Sequence, residues 1–390
     1  MLQEYPFLSI DHPSLPARPP LQRFALRLGA ADPNHVIRDE MMSILRAHDA
    51  APLYKYLCAQ LDWPLDNALL STMTAANVTK LASFPTLLAD AEENHGDVEI
   101  RQVLYDKATY LAYIGDKDAA LVALDECEKK TVALGQKLDL VFHALRLGML
   151  YEDWHLVKER LAKAAKAFGD GADWERKNRL KVYEAVFCMA TRNLTEASKL
   201  FLGAVATFTT SELMSYEDCI AYSVLMALVT LDRPTLRTSV LDSPEVRSVM
   251  PKIPHVRDCL EAMYGCKYAD FFQALVPVAE LIHADPYLRP HTEHYLREIR
   301  LAAYKQFLAP FKTARVAAMA AAFGVSEAFL DQQLADFIVA GRLGCKIDRV
   351  EGVIVTNQLD QKNTEYHAMV KAGDGLLNRI QKLSRVVDIE

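Results

Sequence analysis

Residues Thr313 to Asn357 read TARVAAMAAAFGVSEAFLDQQLADFIVAGRLGCKIDRVEGVIVTN, and their pattern decides how the rest of the chain is understood. Val316, Met319, Ala320 and Phe323 recur three and four apart, the spacing of a helix with one buried face. Gly324 follows at the position where a left-handed backbone ends a helix without penalty. Ser326 is then an N-cap with Glu327 in the first turn behind it. The second helix is expected to bury Phe329, Leu330, Leu334, Phe337 and Ile338 and to stop at Gly341. Leu343 to Ile347 and Val353 to Val355 are β-prone runs around a loop containing Gly352, which predicts a hairpin. Helix, Gly turn, helix and hairpin make a winged helix-turn-helix.

Duplex reading is the usual use of that shape, and the charges oppose it. Glu327 to Ala340 carries Glu327, Asp331 and Asp336 and no Lys or Arg, so only Gln332 and Gln333 could address a base edge. A hairpin wing instead offers an edge strand whose backbone groups can pair with another chain. Over all 390 residues the net charge is −7, which supports neither a nucleic-acid nor an anionic-membrane partner. The longest charge-free apolar run, Cys219 to Leu231, is too short to cross a bilayer. The opening MLQEYPFLSI has an early Glu4 and no basic stretch before an apolar core, so no signal peptide is expected. Seven cysteines without a CxxC pair fit reduced thiols in cytosol or nucleus.

Upstream, Pro13, Pro16, Pro19 and Pro20 predict an extended arm over residues 1 to about 35. Helices are expected at Arg38 to Ala47, Leu53 to Leu61 and Asp66 to Asp90, the last interrupted at Pro85. From about Val98 the chain repeats itself. Asp116, Asp153 and Asn193 act as turn markers. Four residues after each stand Ala120, Val157 and Ala197, eight after stand Leu124, Leu161 and Phe201, and eleven after stand Cys127, Ala164 and Ala204. Each unit is thus helix, polar turn, helix, the pattern of a tetratricopeptide-like α-solenoid. Later helices start at Ser243-Pro244-Glu245 and run over Leu213 to Leu231, Tyr268 to His283 and His291 to Leu308. The last, Gln361 to Val387, carries a heptad seam of Tyr366, Met369, Gly373, Leu376, Ile380, Leu383 and Val387 with no partner helix nearby in sequence.

Catalytic constellations are absent from the sequence. There is no phosphate loop, no GxSxG elbow and no HExxH or HxH metal pair. His291 and His294 beside Glu293 would be half of a metal site, but no matching cluster exists, and a polar helix start is the plainer reading. Gly169-Asp170-Gly171 lacks the preceding strand of a dinucleotide loop and is expected to join two helices. No catalytic residue, metal site or cofactor is assigned.

A solenoid running into an acidic winged helix resembles the PCI family, the scaffold subunits of the proteasome lid, the COP9 signalosome and translation initiation factor three. Six stretches narrow the resemblance to the family of regulatory particle subunit seven, a non-ATPase lid component of the 26S proteasome. They are Ala112–Ala119 (AYIGDKDA), Gly135–Gly148 (GQKLDLVFHALRLG), Asp173–Glu184 (DWERKNRLKVYE), Ala322–Val325 (AFGV), Ala340–Asp348 (AGRLGCKID) and Leu377–Val386 (LNRIQKLSRV). They cover residue 98 onward in family order; Ala172 stands where a second glycine is expected. The resemblance implies an all-α fold: a TPR-like solenoid, then a winged-helix PCI domain with a small hairpin wing, then a C-terminal helix. Its domains would be an N-terminal arm and helices over 1–97, repeats over 98–190, the PCI domain over 191–361 and a bundle helix over 362–390. It also implies a non-catalytic scaffold of the cytoplasm and nucleus. Ile347, Val353 and Val355 would join neighbouring wings, and Leu376, Ile380, Leu383 and Val387 would enter a helical bundle with other PCI lid subunits. The ATPase ring is a further candidate contact. Three alternatives remain at this point: the corresponding signalosome subunit, a winged-helix nucleic-acid binder, and a peptide-holding repeat adaptor.

Overall fold

The computed structural model describes residues 42–43, 45–60, 63–94, 96–168, 174–356 and 361–387. The extended arm and the Gly169-Asp170-Gly171 connection lie outside the described residues, as does part of the Arg38 to Ala47 helix. Two compact units emerge: Met1–Leu260 with Leu275–Leu296, and Glu261–Ala274 with Arg297–Glu390.

The first unit is a series of paired helices: α1 (Ala51–Gln60), α2 (Asn67–Asn94), α3 (Asp97–Ile114), α4 (Lys117–Lys130), α5 (Leu134–Leu150), α6 (Trp154–Phe168), α7 (Trp174–Ala190), α8 (Leu194–Val205) and α9 (Tyr216–Thr230). The short α10 (Arg233–Leu236) runs into a π turn at Arg237–Leu241, and α11 (Pro244–Val249) follows. The three turn markers have a physical role. Asp116, Asp153 and Asn193 are N-caps whose side-chain oxygens accept from Ala119, Leu156 and Glu196 N–H at 3.1, 3.1 and 3.4 Å. Each also closes the previous helix: its own N–H reaches back to Leu111, Gly148 and Cys188 C=O respectively. The residue before each marker is left-handed, Gly115 at φ +88°, Glu152 at +55° and Arg192 at +66°. One residue pair thus ends one helix and starts the next, which fixes the corner of each repeat. The nine apolar positions downstream of the markers are all buried.

Successive repeats are also tied by charge. Lys117–Asp153, Asp125–Arg160, Glu128–Lys163 and Asp139–Arg176 are ion pairs whose partners lie 36, 35, 35 and 37 residues apart. The repeat length in sequence therefore reappears as the step between paired charges.

Pro85 departs from expectation. It sits inside α2, which runs unbroken for 28 residues to Asn94. The ring lies on an exposed stretch, and the helix continues through it at the cost of one backbone hydrogen bond.

The second unit draws on α12 (Pro254–Tyr264), α13 (Tyr268–Ala284) and α14 (Thr292–Leu308), then β1 (Thr313–Arg315), α15 (Val316–Phe323), α16 (Glu327–Val339), β2 (Cys345–Asp348), β3 (Val353–Thr356) and α17 (Gln361–Val387). Its core is aromatic. Phe323 lies 4.7 Å from Tyr268, 5.4 Å from Phe272, 5.0 Å from Tyr304 and 5.5 Å from Phe307, ring centre to ring centre. Burial pushes the Tyr304 phenol up to about 12, so it stays neutral inside this cluster.

Candidate docking surfaces on the winged helix and the last helix

The winged helix forms as its sequence dictates. Gly324 is left-handed at φ +66°, and Ser326 Oγ accepts from Phe329 N–H at 3.3 Å. Leu330, Leu334 and Phe337 are buried, which is the i, i+4, i+7 stripe of α16. Phe329 is not; it remains 38% exposed, because its position next to Leu330 turns it off that stripe. Ile338 is half-buried for the same reason. The hairpin loop is closed by Asp348, whose Oδ1 accepts from Val350 and Glu351 N–H at 2.9 and 3.3 Å, with Gly352 at φ +67°.

The wing is a three-stranded sheet in the order β1-β3-β2, one strand more than the hairpin expected from sequence. Thr313, Ala314 and Arg315 pair antiparallel with Val355, Ile354 and Val353. That changes what the predicted wing residues can do. Val353 and Val355 lie on the middle strand, so their backbone is engaged on both sides and they offer no edge. Only their side chains are available, on the outer face with Lys346 and Asp348 opposite. Ile347 sits on an edge strand but on the other face, opposite the buried Ile354. The three residues therefore do not form one patch. The open backbone edges belong to β1 and β2.

Electrostatics around α16 match its sequence. Asp331 is paired with Arg349 at 2.9 Å, so this cation of the hairpin loop is turned back onto the helix. Arg342 holds Glu298 with two hydrogen bonds, Nη1 to Oε1 at 2.9 Å and Nη2 to Oε2 at 2.5 Å. Burial pushes the Cys345 thiol up, so it is no ready nucleophile.

The helix α17 presents its seam to solvent. Every side chain described on it, from Glu365 to Val386, is exposed. Leu376, Ile380 and Leu383 are 59%, 52% and 64% exposed, and Tyr366 and Met369 more so. Val387 closes the helix, and its side chain lies outside the described set. The apolar surface is broader than the heptad reading: Val370, Leu377 and Val386 are exposed beside it. Adjacent apolar pairs, Met369-Val370 and Leu376-Leu377, were the signal for that width.

Among the described residues no group of three His, Cys, Asp or Glu could share a metal ion. Both ring nitrogens of His291 are engaged: Nε2 donates to Ala190 C=O at 2.7 Å, and Nδ1 accepts from Arg192 Nε at 2.9 Å. No described helix is long and apolar enough to cross a membrane.

Three family profiles match along the chain in order. "26S proteasome subunit RPN7" covers residues 66–239, "PCI domain" residues 275–358, and "26S proteasome regulatory subunit RPN7/PSMD6 C-terminal helix" residues 366–387. The last match falls on the exposed helix α17. Similar curated proteins include the 26S proteasome non-ATPase regulatory subunit 6 homolog of Arabidopsis thaliana, 49% identical over 90% of this chain and 91% of that protein. The 26S proteasome non-ATPase regulatory subunit 6 of Caenorhabditis elegans is 43% identical over 90% and 87%. The 26S proteasome regulatory subunit RPN7 of Saccharomyces cerevisiae is 36% identical over 89% and 87%. With identity at this level over nine-tenths of its length, and with solenoid, PCI and last-helix profiles in sequence, the chain belongs to the RPN7 family of 26S proteasome regulatory subunits.

Proposed function

We propose that this chain is a non-catalytic scaffold subunit of the 26S proteasome regulatory particle lid, supporting lid assembly and so ubiquitin-dependent protein degradation. The observation that carries the reading is α17: 27 residues of helix with an apolar stripe that no described part of the chain covers. A contiguous apolar stripe of this length is unfavourable in water and marks an interaction surface. Its coiled-coil spacing suits a helical bundle made with other PCI lid subunits. The open edges of β1 and β2 suit strand pairing with neighbouring wings, and the ATPase ring is a further contact in this reading. Neither nucleic acid nor a membrane is a partner in it: α16 is acidic, and Arg349 is already paired with Asp331. The chain works in cytoplasm and nucleus. Native purification of the tagged chain from its source cells, with mass spectrometry of what accompanies it, tests the reading. Recovery of lid subunits, ATPases and the proteolytic core supports it; recovery of the chain alone, or with nucleic acid, overturns it.

A further inference from the structure

The stripe on α17 has a register and a polarity as well as an exposure. Tyr366, Met369, Gly373, Leu376, Ile380 and Leu383 alternate three and four apart, which makes them a and d positions of a heptad repeat. Val370 and Leu377 stand beside them at successive e positions, and all eight residues are exposed. Charge is spread unevenly along the same helix. From Leu376 to Val386 its charged side chains are Arg379, Lys382 and Arg385, with no carboxylate among them. From Glu365 to Gly375 it carries Glu365 and Asp374 against Lys371 alone. One end is therefore basic and the other mildly acidic. A parallel pair of such helices would stack each cation beside its own copy. An antiparallel pair sets Lys382 about 22 Å along the axis from the other Lys382, beyond the reach of the repulsion at physiological salt.

The apolar positions fit the antiparallel arrangement in one register. With a twofold axis between Asp374 and Gly375, every a position meets a d position: Tyr366 lies level with Leu383 of the second copy, Ile380 with Met369, and Gly373 with Leu376. A side chain added at Gly373 would meet nothing in its own chain, so the space there is open to the opposing Leu376. The same register sets Val370 beside Leu377 and covers both e positions, and Glu365 comes within a turn of Lys382. We propose that the free chain pairs with a second copy through α17, the two helices antiparallel, and that this pair covers the stripe until other lid subunits replace it. The proposal rests on the reading of α17 as a docking surface and names what occupies that surface before assembly.

Sedimentation velocity of the purified full chain, with no other subunit present, tests the pairing. We expect monomer at about 1 μM and mostly dimer by about 100 μM, a Kd on the order of 10 μM. Leu376→Asp with Ile380→Asp, both at exposed positions, should raise that Kd about tenfold or more and leave the far-ultraviolet spectrum unchanged. Disulfide formation reads the orientation, because the native cysteines described are buried or half-buried. A mixture of Tyr366→Cys chains with Leu383→Cys chains should give a linked dimer whose peptide map joins the two introduced thiols, and Leu383→Cys chains alone should give none. A chain that stays monomeric up to about 100 μM overturns the proposal, while recovery of lid subunits from cells still decides the scaffold reading, so the two fail separately. Leu383→Cys chains that link to each other, a mixture that does not link, or self-association that survives the double aspartate variant also overturn it.

Discussion

Arg160 and Asp125 stand 35 residues apart in sequence and meet in a two-pronged pair, Nη1 to Oδ1 at 2.6 Å and Nη2 to Oδ2 at 3.1 Å. They belong to consecutive repeats, so this pair fixes how one repeat sits on the next. Arg160 is almost fully buried, whereas Asp125 keeps much of its surface in water. Asp125→Asn removes the counter-charge and leaves a buried guanidinium. We expect a loss of about 1–3 kcal/mol in urea unfolding followed by circular dichroism. Lys163→Ala, at the neighbouring exposed pair with Glu128, should cost under about 1 kcal/mol. Equal effects would mean that burial of Arg160 does not matter.

The same pairs set an acid limit. Hydrogen bonds from Arg160 hold the Asp125 carboxyl below the usual carboxylate range, and Lys117 does the same for Asp153. A carboxyl with a depressed folded value binds protons more readily once unfolded. Its stabilisation is therefore complete above an unfolded value of about 4 and is lost as pH falls through the folded value. The stability that these two pairs contribute should be flat from about pH 5 upward and decline below about pH 4. The Asp125→Asn chain should lose less over that acid range than the parent. A parallel decline in both chains would contradict this account.

Backbone strain at the repeat corners makes opposite predictions at equivalent positions. Glu152 is exposed and left-handed at φ +55°, so Glu152→Gly should stabilise by about 0.5–1 kcal/mol. Gly115 occupies the same place one repeat earlier at φ +88°, where an added Cβ would fall 2.5 Å from Leu53 Cβ. Gly115→Ala should cost at least about 2 kcal/mol, from strain and overpacking together. Thermal and urea unfolding of the two variants measure both signs.

Phe323 is the hub of the aromatic core in the second unit. Phe323→Ala should cost about 3–5 kcal/mol and expose the segment around α15 and α16 to limited proteolysis. A variant with unchanged protection there would show that the ring cluster does not hold the winged helix.

Much of this was readable from local chemistry. The repeat corners announced themselves because one side chain, at Asp116, Asp153 and Asn193, must cap a helix, and only a few residue types can. The winged helix was likewise marked by Gly324, Ser326 and Gly341. What sequence did not show was set by partners distant in the chain. Thr313–Arg315 is a strand only because β3, forty residues later, pairs with it, and that third strand moves Val353 and Val355 away from the sheet edge. Phe329 looked buried from its hydrophobicity, yet helix phase places it outside the stripe. The width of the α17 surface needed the exposure of Leu377 and Val386, which a heptad template skips.

The most direct test of the scaffold account compares the parent chain with one carrying Leu376→Asp, Ile380→Asp and Leu383→Asp, each tagged and purified natively. The account predicts that the triple variant keeps the parent's far-ultraviolet spectrum and unfolding midpoint, because these side chains face solvent, while other regulatory subunits no longer accompany it. A variant that unfolds by itself, or that recovers those subunits as well as the parent does, would contradict it.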